Sequence, residues 1–280
     1  MAPPALTLLR SYAQKSNPST LPSSILYSHT PTTLTIFDCY PKSIFHFLIL
    51  PRPSTSVNVF DLATLRTLLK NKNREKAREV IFGLRDEAQK LKKDIEEEMR
   101  DRYGFVWEVW TGFHAVQSME HMHLHVISAD LTAPAMKKKK HYNSFHPKLG
   151  FFLHLEDIVS LFDAESLYFD TMAELKPSKY EPILKEDLVC FRCHKPQKNL
   201  PALKMHLQTE WDNLRKREKA RLEKQHDPDE TTANKAANKA TVNERKRGRE
   251  DGSEDEPGPT SDTAASSTSG KKRREIDADD

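Results

Sequence analysis

The chain has 280 residues, 37% of them apolar and 30% charged, with a mean hydropathy of −0.71 and a formal net charge of +3. That length allows one good-sized domain with additions, but the average is too polar for one compact core throughout, so a segment without a core is expected. No run approaches the roughly 18 apolar residues of a membrane span, and the small net charge confines any nucleic-acid affinity to local patches.

Residues Ala5 to Lys15 place Leu8, Leu9, Tyr12 and Ala13 on one helical face. A structural helix beside the site is the preferred reading, although the absence of acidic residues before Asp38 also fits a mitochondrial presequence. Asn17 to Ser24 reads as a Ser/Pro linker. Strands are expected over Leu34–Asp38 and Phe45–Leu50, around the turn Cys39-Tyr40-Pro41-Lys42. Pro51-Arg52-Pro53 ends the second, because proline cannot serve a central ladder. Asp61 fits an N-cap for a helix carrying Leu62, Leu65, Leu68 and Leu69. Arg74 to Arg102 predicts a long helix that buries Val80, Ile81, Leu84, Ala88, Leu91, Ile95 and Met99 and turns its charges to solvent. Tyr103-Gly104 breaks it, and an aromatic-rich strand is expected from Phe105 to Gly112.

The segment His121-Met122-His123-Leu124-His125-Val126-Ile127-Ser128 alternates imidazole with apolar residues, the period-2 pattern of a half-buried strand. On a strand, His121, His123 and His125 would stand in one row while Met122, Leu124 and Val126 enter the core. Such a row supplies a metal site, since His-x-His is a ligand spacing. It equally supplies a nucleophile whose neighbours fix its tautomer and donate to phosphate oxygens. Lys137 to Lys140, followed by His141-Tyr142-Asn143-Ser144-Phe145, then offers four consecutive cations beside an exposed-looking aromatic. That suits a polynucleotide backbone better than a free mononucleotide. Phe151 to Glu174 reads as strand then helix and completes the first domain.

Cys190 and Cys193 begin a second pattern, followed after twelve intervening residues by His206 and after three more by Glu210. Two thiolates from a knuckle and two ligands one helical turn apart make the Cys2His2 finger spacing, here with carboxylate as fourth ligand. A structural Zn2+ held by Cys190, Cys193, His206 and Glu210 is expected. The pair of cysteines in Cys-x-x-Cys also points to a reducing compartment. Asp212 to Lys224 extends the finger helix. From Gln225 the composition cannot bury a core. Its clusters Arg245-Lys246-Arg247-Gly248-Arg249 and Lys271-Lys272-Arg273-Arg274 read as nuclear targeting or nucleic-acid contact.

The triad segment resembles the histidine triad (HIT) superfamily at every position. With Gly112-Phe113-His114-Ala115-Val116, Ser118-Met119, Tyr40-Pro41-Lys42, Leu50-Pro51-Arg52, the Lys-Lys-His-aromatic-Asn-Ser-Phe segment and the finger, residues 5–211 are similar to the aprataxin family. The likeness is to the short, fungal-type form without a forkhead-associated domain. It implies an α+β fold: a HIT domain with an antiparallel sheet and packed helices, a small C2HE-type finger and a disordered tail. The implied segments are 1–25 for helix and linker, 26–175 for the HIT domain, 176–224 for the finger with its extended helix, and 225–280 for the tail.

The resemblance also implies an activity, removal of AMP from 5′-adenylated DNA ends left by abortive ligation, through a covalent AMP-histidine. By motif, His123 is the nucleophile, His121 and His125 orient it and bind phosphate, and His114 serves the leaving 5′-phosphate. Lys42 and Ser118 line the nucleotide pocket, with Asp38 on the ribose. Arg52, Ser54, Thr55, Lys140 and Tyr142 face DNA, and the first helix wedges against the terminal base pair. Gln117 stands where the family has proline, and Tyr142 where it has tryptophan. The implied partners are adenylated DNA nicks or breaks, AMP as product and repair proteins through the tail, with no membrane, in a nuclear monomer. The rival readings are a generic HIT nucleotide phosphoramidase or dinucleoside polyphosphate hydrolase, and a non-enzymatic zinc-finger DNA-binding protein.

Overall fold

Alternating apolar residues in six short segments assemble one antiparallel sheet. The computed structural model describes residues 5–226; the tail with its two basic clusters lies outside the described residues. The strands are β1 (Leu26–His29), β2 (Thr33–Phe37), β3 (His46–Pro51), β4 (Val109–His114), β5 (Leu124–Ser128) and β6 (Phe152–His154), in the order β1-β2-β3-β5-β4-β6. Each adjacent pair runs antiparallel. The helices are α1 (Leu8–Ala13), α2 (Leu65–Leu69), α3 (Arg74–Tyr103), α4 (Lys139–Phe145), α5 (Leu155–Leu161), α6 (Ser166–Ala173), α7 (Pro177–Tyr180) and α8 (Leu200–His226). No helix of the described residues is long and apolar enough to cross a membrane.

Local signals explain most boundaries. Asn73 caps α3 by accepting from the Lys76 amide, and Gly104, at φ 75°, closes it in the left-handed conformation that glycine adopts without penalty. Ala77, Ile81, Leu84, Ala88, Leu91, Ile95 and Met99 recur at helical spacing and are buried. The cap of α2 is Thr64, which accepts from the Thr67 amide, and not Asp61. Asp61 sits one turn earlier and takes hydrogen bonds from the Asn58 amide and Asn71 Nδ2. β4 begins four residues later than its aromatic pattern suggests. Phe105 and Trp107 instead pack with Tyr103 and Trp211 in a ring cluster ahead of the strand.

The two faces of the sheet do different work. Phe47, Ile49, Phe113, Leu124 and Val126 point toward α3 and form the largest core. The opposite face carries His46 and Leu48 from β3, His125 and Ile127 from β5, and Gly112 and His114 from β4, as the register Leu48↔His125↔Gly112 requires. At one end of this face α1 packs Leu9 and Ala13 on Leu34, Ile36, Leu48 and Leu50. At the other end Leu188, Phe191, Leu203 and Leu207 pack on Trp110, Ile127, Tyr142 and Phe152. The finger segment thus shares cores with the sheet, and residues Met1–Gln225 form one unit. The imidazoles lie between these two covers.

Gly112 must lack a side chain. A Cβ there would sit 2.5 Å from the Leu153 carbonyl and 2.6 Å from the Phe152 ring. Gly112→Ala is therefore expected to force β4 and β6 apart and cost about 2 kcal/mol. Chemical denaturation reads this directly, and an unchanged midpoint would show that β6 yields freely.

Candidate active site and metal centre

The triad does not form one strand-borne row. Only His125 lies within β5; His123 stands just ahead of it, and His121 is at φ 85°, a left-handed conformation unusual for a non-glycine residue. That twist turns the His121 ring away, to a 2.7 Å hydrogen bond with the Pro51 carbonyl. Its backbone carbonyl, not its ring, serves the site: His123 Nδ1 lies 2.9 Å from it. A carbonyl only accepts, so His123 Nδ1 carries the proton and Nε2 keeps its lone pair.

A second chain of hydrogen bonds sets His125. The Lys42 amide donates to His46 Nδ1 at 3.2 Å, so neutral His46 is protonated at Nε2. His46 Nε2 lies 3.0 Å from His125 Nδ1, which must therefore accept, and the proton of His125 resides on Nε2. That atom is buried and has no partner. Asp38 Oδ2 stands 3.6 Å from His46 Nε2, favouring its N–H. The site thus presents a bare imidazole nitrogen on His123 beside an unspent N–H donor on His125, with ring centroids 4.9 Å apart.

These rings line a cavity of about 270 Å3 together with Asp38, Tyr40, Lys42, Ser118, Lys140, His141 and Ser144. Leu9, Leu48 and Met119 supply an apolar wall at the end covered by α1. The His114 ring lies tilted against His125, with centroids 4.4 Å apart, and hydrogen-bonds the Ser144 backbone, and its Nε2 is buried without a partner. Lys42 is held below its ordinary value by burial, opposed by Asp38. Lys137, Lys138 and Lys140 remain exposed.

Burial also keeps the imidazoles neutral. It depresses His46 and His121 to about 4, and holds His114, His123 and His125 below their ordinary value, with repulsion from neighbouring histidines adding to the effect on His114 and His125. Between pH 6.5 and about 4 the unfolded chain binds protons that the folded His46 and His121 refuse. Stability is therefore full above the unfolded value and lost as pH falls through that window, by on the order of 3 kcal/mol at most for each ring. Denaturant titrations at pH 7.5 and 5 are expected to show the loss; equal midpoints would mean that the rings are not desolvated.

The residues expected to face DNA lie in varied settings. The Arg52 guanidinium donates to the Thr30 and Lys15 carbonyls at 3.0 and 2.7 Å, tying β3 to the N-terminal segment. Ser54 Oγ accepts from the Val57 amide within a tight turn, and Thr55 is exposed beside it; neither lines the histidine cavity. Tyr142, read as an exposed base contact, is fully buried because Lys139–Phe145 is a helix and not a loop. Asn143 is buried with it, donating to the Glu186 carbonyl at 2.8 Å. Conversely, His46, His141 and Ser144 reach the cavity without having been singled out. His46 did carry a signal, a lone imidazole in an otherwise apolar strand.

The finger residues converge. Donor atoms of Cys190, Cys193, His206 and Glu210 all lie within 4.8 Å of one another. Cys193 Sγ is 3.1 Å and Glu210 Oε1 3.5 Å from His206 Nε2. Tetrahedral zinc with thiolate and imidazole ligands separates its donors by about 3.5 Å, so two sulfurs, one nitrogen and one carboxylate fit that ion. Asp38, His46 and His125 also approach one another, but His46 spends both nitrogens in the relay, which suits proton placement and not ligation.

Comparison with known proteins agrees with both halves. Residues 10–141 match the family described as scavenger mRNA decapping enzyme C-term binding, and residues 148–213 match the C2HE / C2H2 / C2HC zinc-binding finger. Aprataxin of Ciona intestinalis is 36% identical over 174 residues, covering 61% of this chain and 39% of that protein. The chain spans less than half the length of the animal aprataxins it matches. The crystal structure of the aprataxin ortholog Hnt3 in complex with DNA shares the fold, with a TM-score of 0.53 at 24% identity over 75% of this chain and 94% of that one. An aprataxin-like protein of Saccharomyces cerevisiae is 32% identical over 190 residues, 64% of this chain and 83% of that protein. The chain belongs to the aprataxin-like family.

Proposed function

We propose that this chain is a DNA-repair hydrolase that removes AMP from 5′-adenylated DNA ends. The observation that carries the reading is the pair of hydrogen-bond chains that leave His123 Nε2 bare and His125 Nε2–H unspent in one cavity. His123 Nε2 attacks the α-phosphorus of the 5′,5′-pyrophosphate. The P–O bond to the DNA 5′-phosphate breaks, and AMP is left bonded to His123. His125 Nε2–H and Lys42 neutralise charge on the non-bridging oxygens as it develops. His114 faces the departing phosphate, whose negative charge raises the ring's proton affinity where burial alone depresses it. Water then attacks the phosphorus, the P–N bond breaks, and AMP and free His123 result.

The exposed lysines 137, 138 and 140 beside the cavity support a polynucleotide substrate over a free nucleotide. Cys190, Cys193, His206 and Glu210 would hold a structural zinc, which supplies no chemistry at the cavity and braces the cover over its finger end. The basic clusters at 245–249 and 271–274 support a nuclear location, and we infer a monomer that meets repair proteins through its tail.

A single-turnover assay tests the reading, with a 5′-adenylated nicked duplex beside an equal concentration of dinucleoside polyphosphate. Fast AMP release from the DNA is expected. Cleavage of the small substrate alone would make this a generic HIT hydrolase, and DNA binding without turnover of either would leave a finger protein with a silent triad.

A further inference from the structure

Helix α4 carries two neighbouring buried rings with different duties. One is Phe145, whose ring centroid lies 4.6 Å from His114, 5.1 Å from His125 and 5.2 Å from His46. The Ser144 backbone on the same turn receives the His114 ring. Three residues earlier, and so beside Phe145 on the helix, Tyr142 is fully buried among Leu188, Phe191 and Leu203. The Tyr142 hydroxyl donates to the Val189 carbonyl at 2.8 Å and accepts from the Phe191 amide at 3.0 Å. It therefore grips the residues on both sides of Cys190. Seven residues long, α4 joins the metal knuckle to the histidines within two helical turns.

We infer that Tyr142 is a positioning residue: through its hydroxyl the knuckle at Cys190 sets where α4 holds Phe145 and Ser144 against His114 and His125, so the finger tunes the chemical step apart from any grip on DNA. The inference rests on the proposed hydrolase reading. Its physical basis is the donor and acceptor count of the buried group. A hydroxyl makes both bonds, whereas an indole in its place would have one N–H donor and nothing to accept from the Phe191 amide. The link is thus a property of this chain's tyrosine. Both partners are backbone groups, so side-chain rearrangement cannot replace them, and a lost partner leaves a buried amide unsatisfied.

The test uses full-length, zinc-loaded wild type, Tyr142→Phe and Tyr142→Trp. Phenylalanine keeps the ring and removes both hydrogen bonds. Rapid-quench kinetics are run with excess adenosine 5′-phosphoramidate, which makes no DNA contact, so that the burst amplitude counts intact sites. Zinc release to a chromogenic chelator and the ring-proton resonances of His114 and His125 are measured in parallel. For both variants we expect adenylyl transfer slowed about 5- to 10-fold with amplitude and KM unchanged, faster zinc release, and shifted histidine resonances. Wild-type rate and resonances in Tyr142→Phe would overturn the inference. So would amplitude falling in step with rate, because that marks lost fold and not altered geometry. If wild type turns over neither adenylate, the hydrolase reading fails by itself, and zinc release together with the resonances still decides the coupling.

Discussion

Replacing His123 with alanine is expected to slow AMP release from adenylated DNA by about 10⁴-fold or more, the scale on which covalent catalysts lose rate without their nucleophile. The ring's Nδ1–H is held by the His121 carbonyl at 2.9 Å, so removal deletes a nitrogen that is already oriented and needs no deprotonation. The His121 ring is turned to Pro51, and the His125 lone pair is consumed by His46. DNA affinity is expected to stay near the wild-type value, since His123 is buried and uncharged while the exposed lysines are untouched. Trapping with radiolabelled adenylate under an alkaline denaturing quench, in which the P–N bond survives, is expected to show labelled wild-type protein and an unlabelled variant. A variant within tenfold of wild type would remove His123 as nucleophile.

The other large effect is expected from loss of the finger's metal. A structural zinc contributes on the order of 10 kcal/mol to a small finger, comparable with the whole stability of a domain, about 5–15 kcal/mol. Cys190→Ser leaves His206 and Glu210 without a thiolate partner on the buried side, where Cys190 is fully enclosed. The segment that it anchors covers Trp110, Ile127 and Phe152 with Leu188, Phe191, Leu203 and Leu207. Each of those side chains contributes about 2 kcal/mol by burial, so the cover opens when its anchor goes. Thermal melts are expected to drop by about 10 °C or more in Cys190→Ser, with the near-ultraviolet signal of Trp110 reduced. Chelation of the wild type is expected to do the same. A shift under about 2 °C in both would mean that side-chain packing alone holds the finger.

Some features were readable in one dimension because their physics is local. The heptad-like spacing from Ala77 to Met99 specifies α3 without help from the rest of the chain. The Cys-x2-Cys knuckle and the helical His206 and Glu210 are brought together by short loops and one helix turn, so their spacing predicts their meeting. The alternation ending at Ser128 likewise announces a strand and places His125 opposite the core.

The tertiary structure decided which groups serve those residues. His46 reaches His125 across 79 positions of sequence because β3 pairs with β5 in a register that puts both on one face. Nothing within either segment carries that register. The φ of 85° at His121 breaks the row that simple alternation implies, since the chain bends to meet Ala63 and Leu62 through the amides of His121 and Met122. Arg52 and Tyr142 look like ligand contacts in a string of residues. Their partners are backbone groups from distant segments, so both hold the fold. Residue types and periodicity therefore determined the chemistry available to this protein. Long-range pairing, which depends on how the whole chain buries its apolar faces, determined which nitrogen is bare, which is protonated, and what holds each in place.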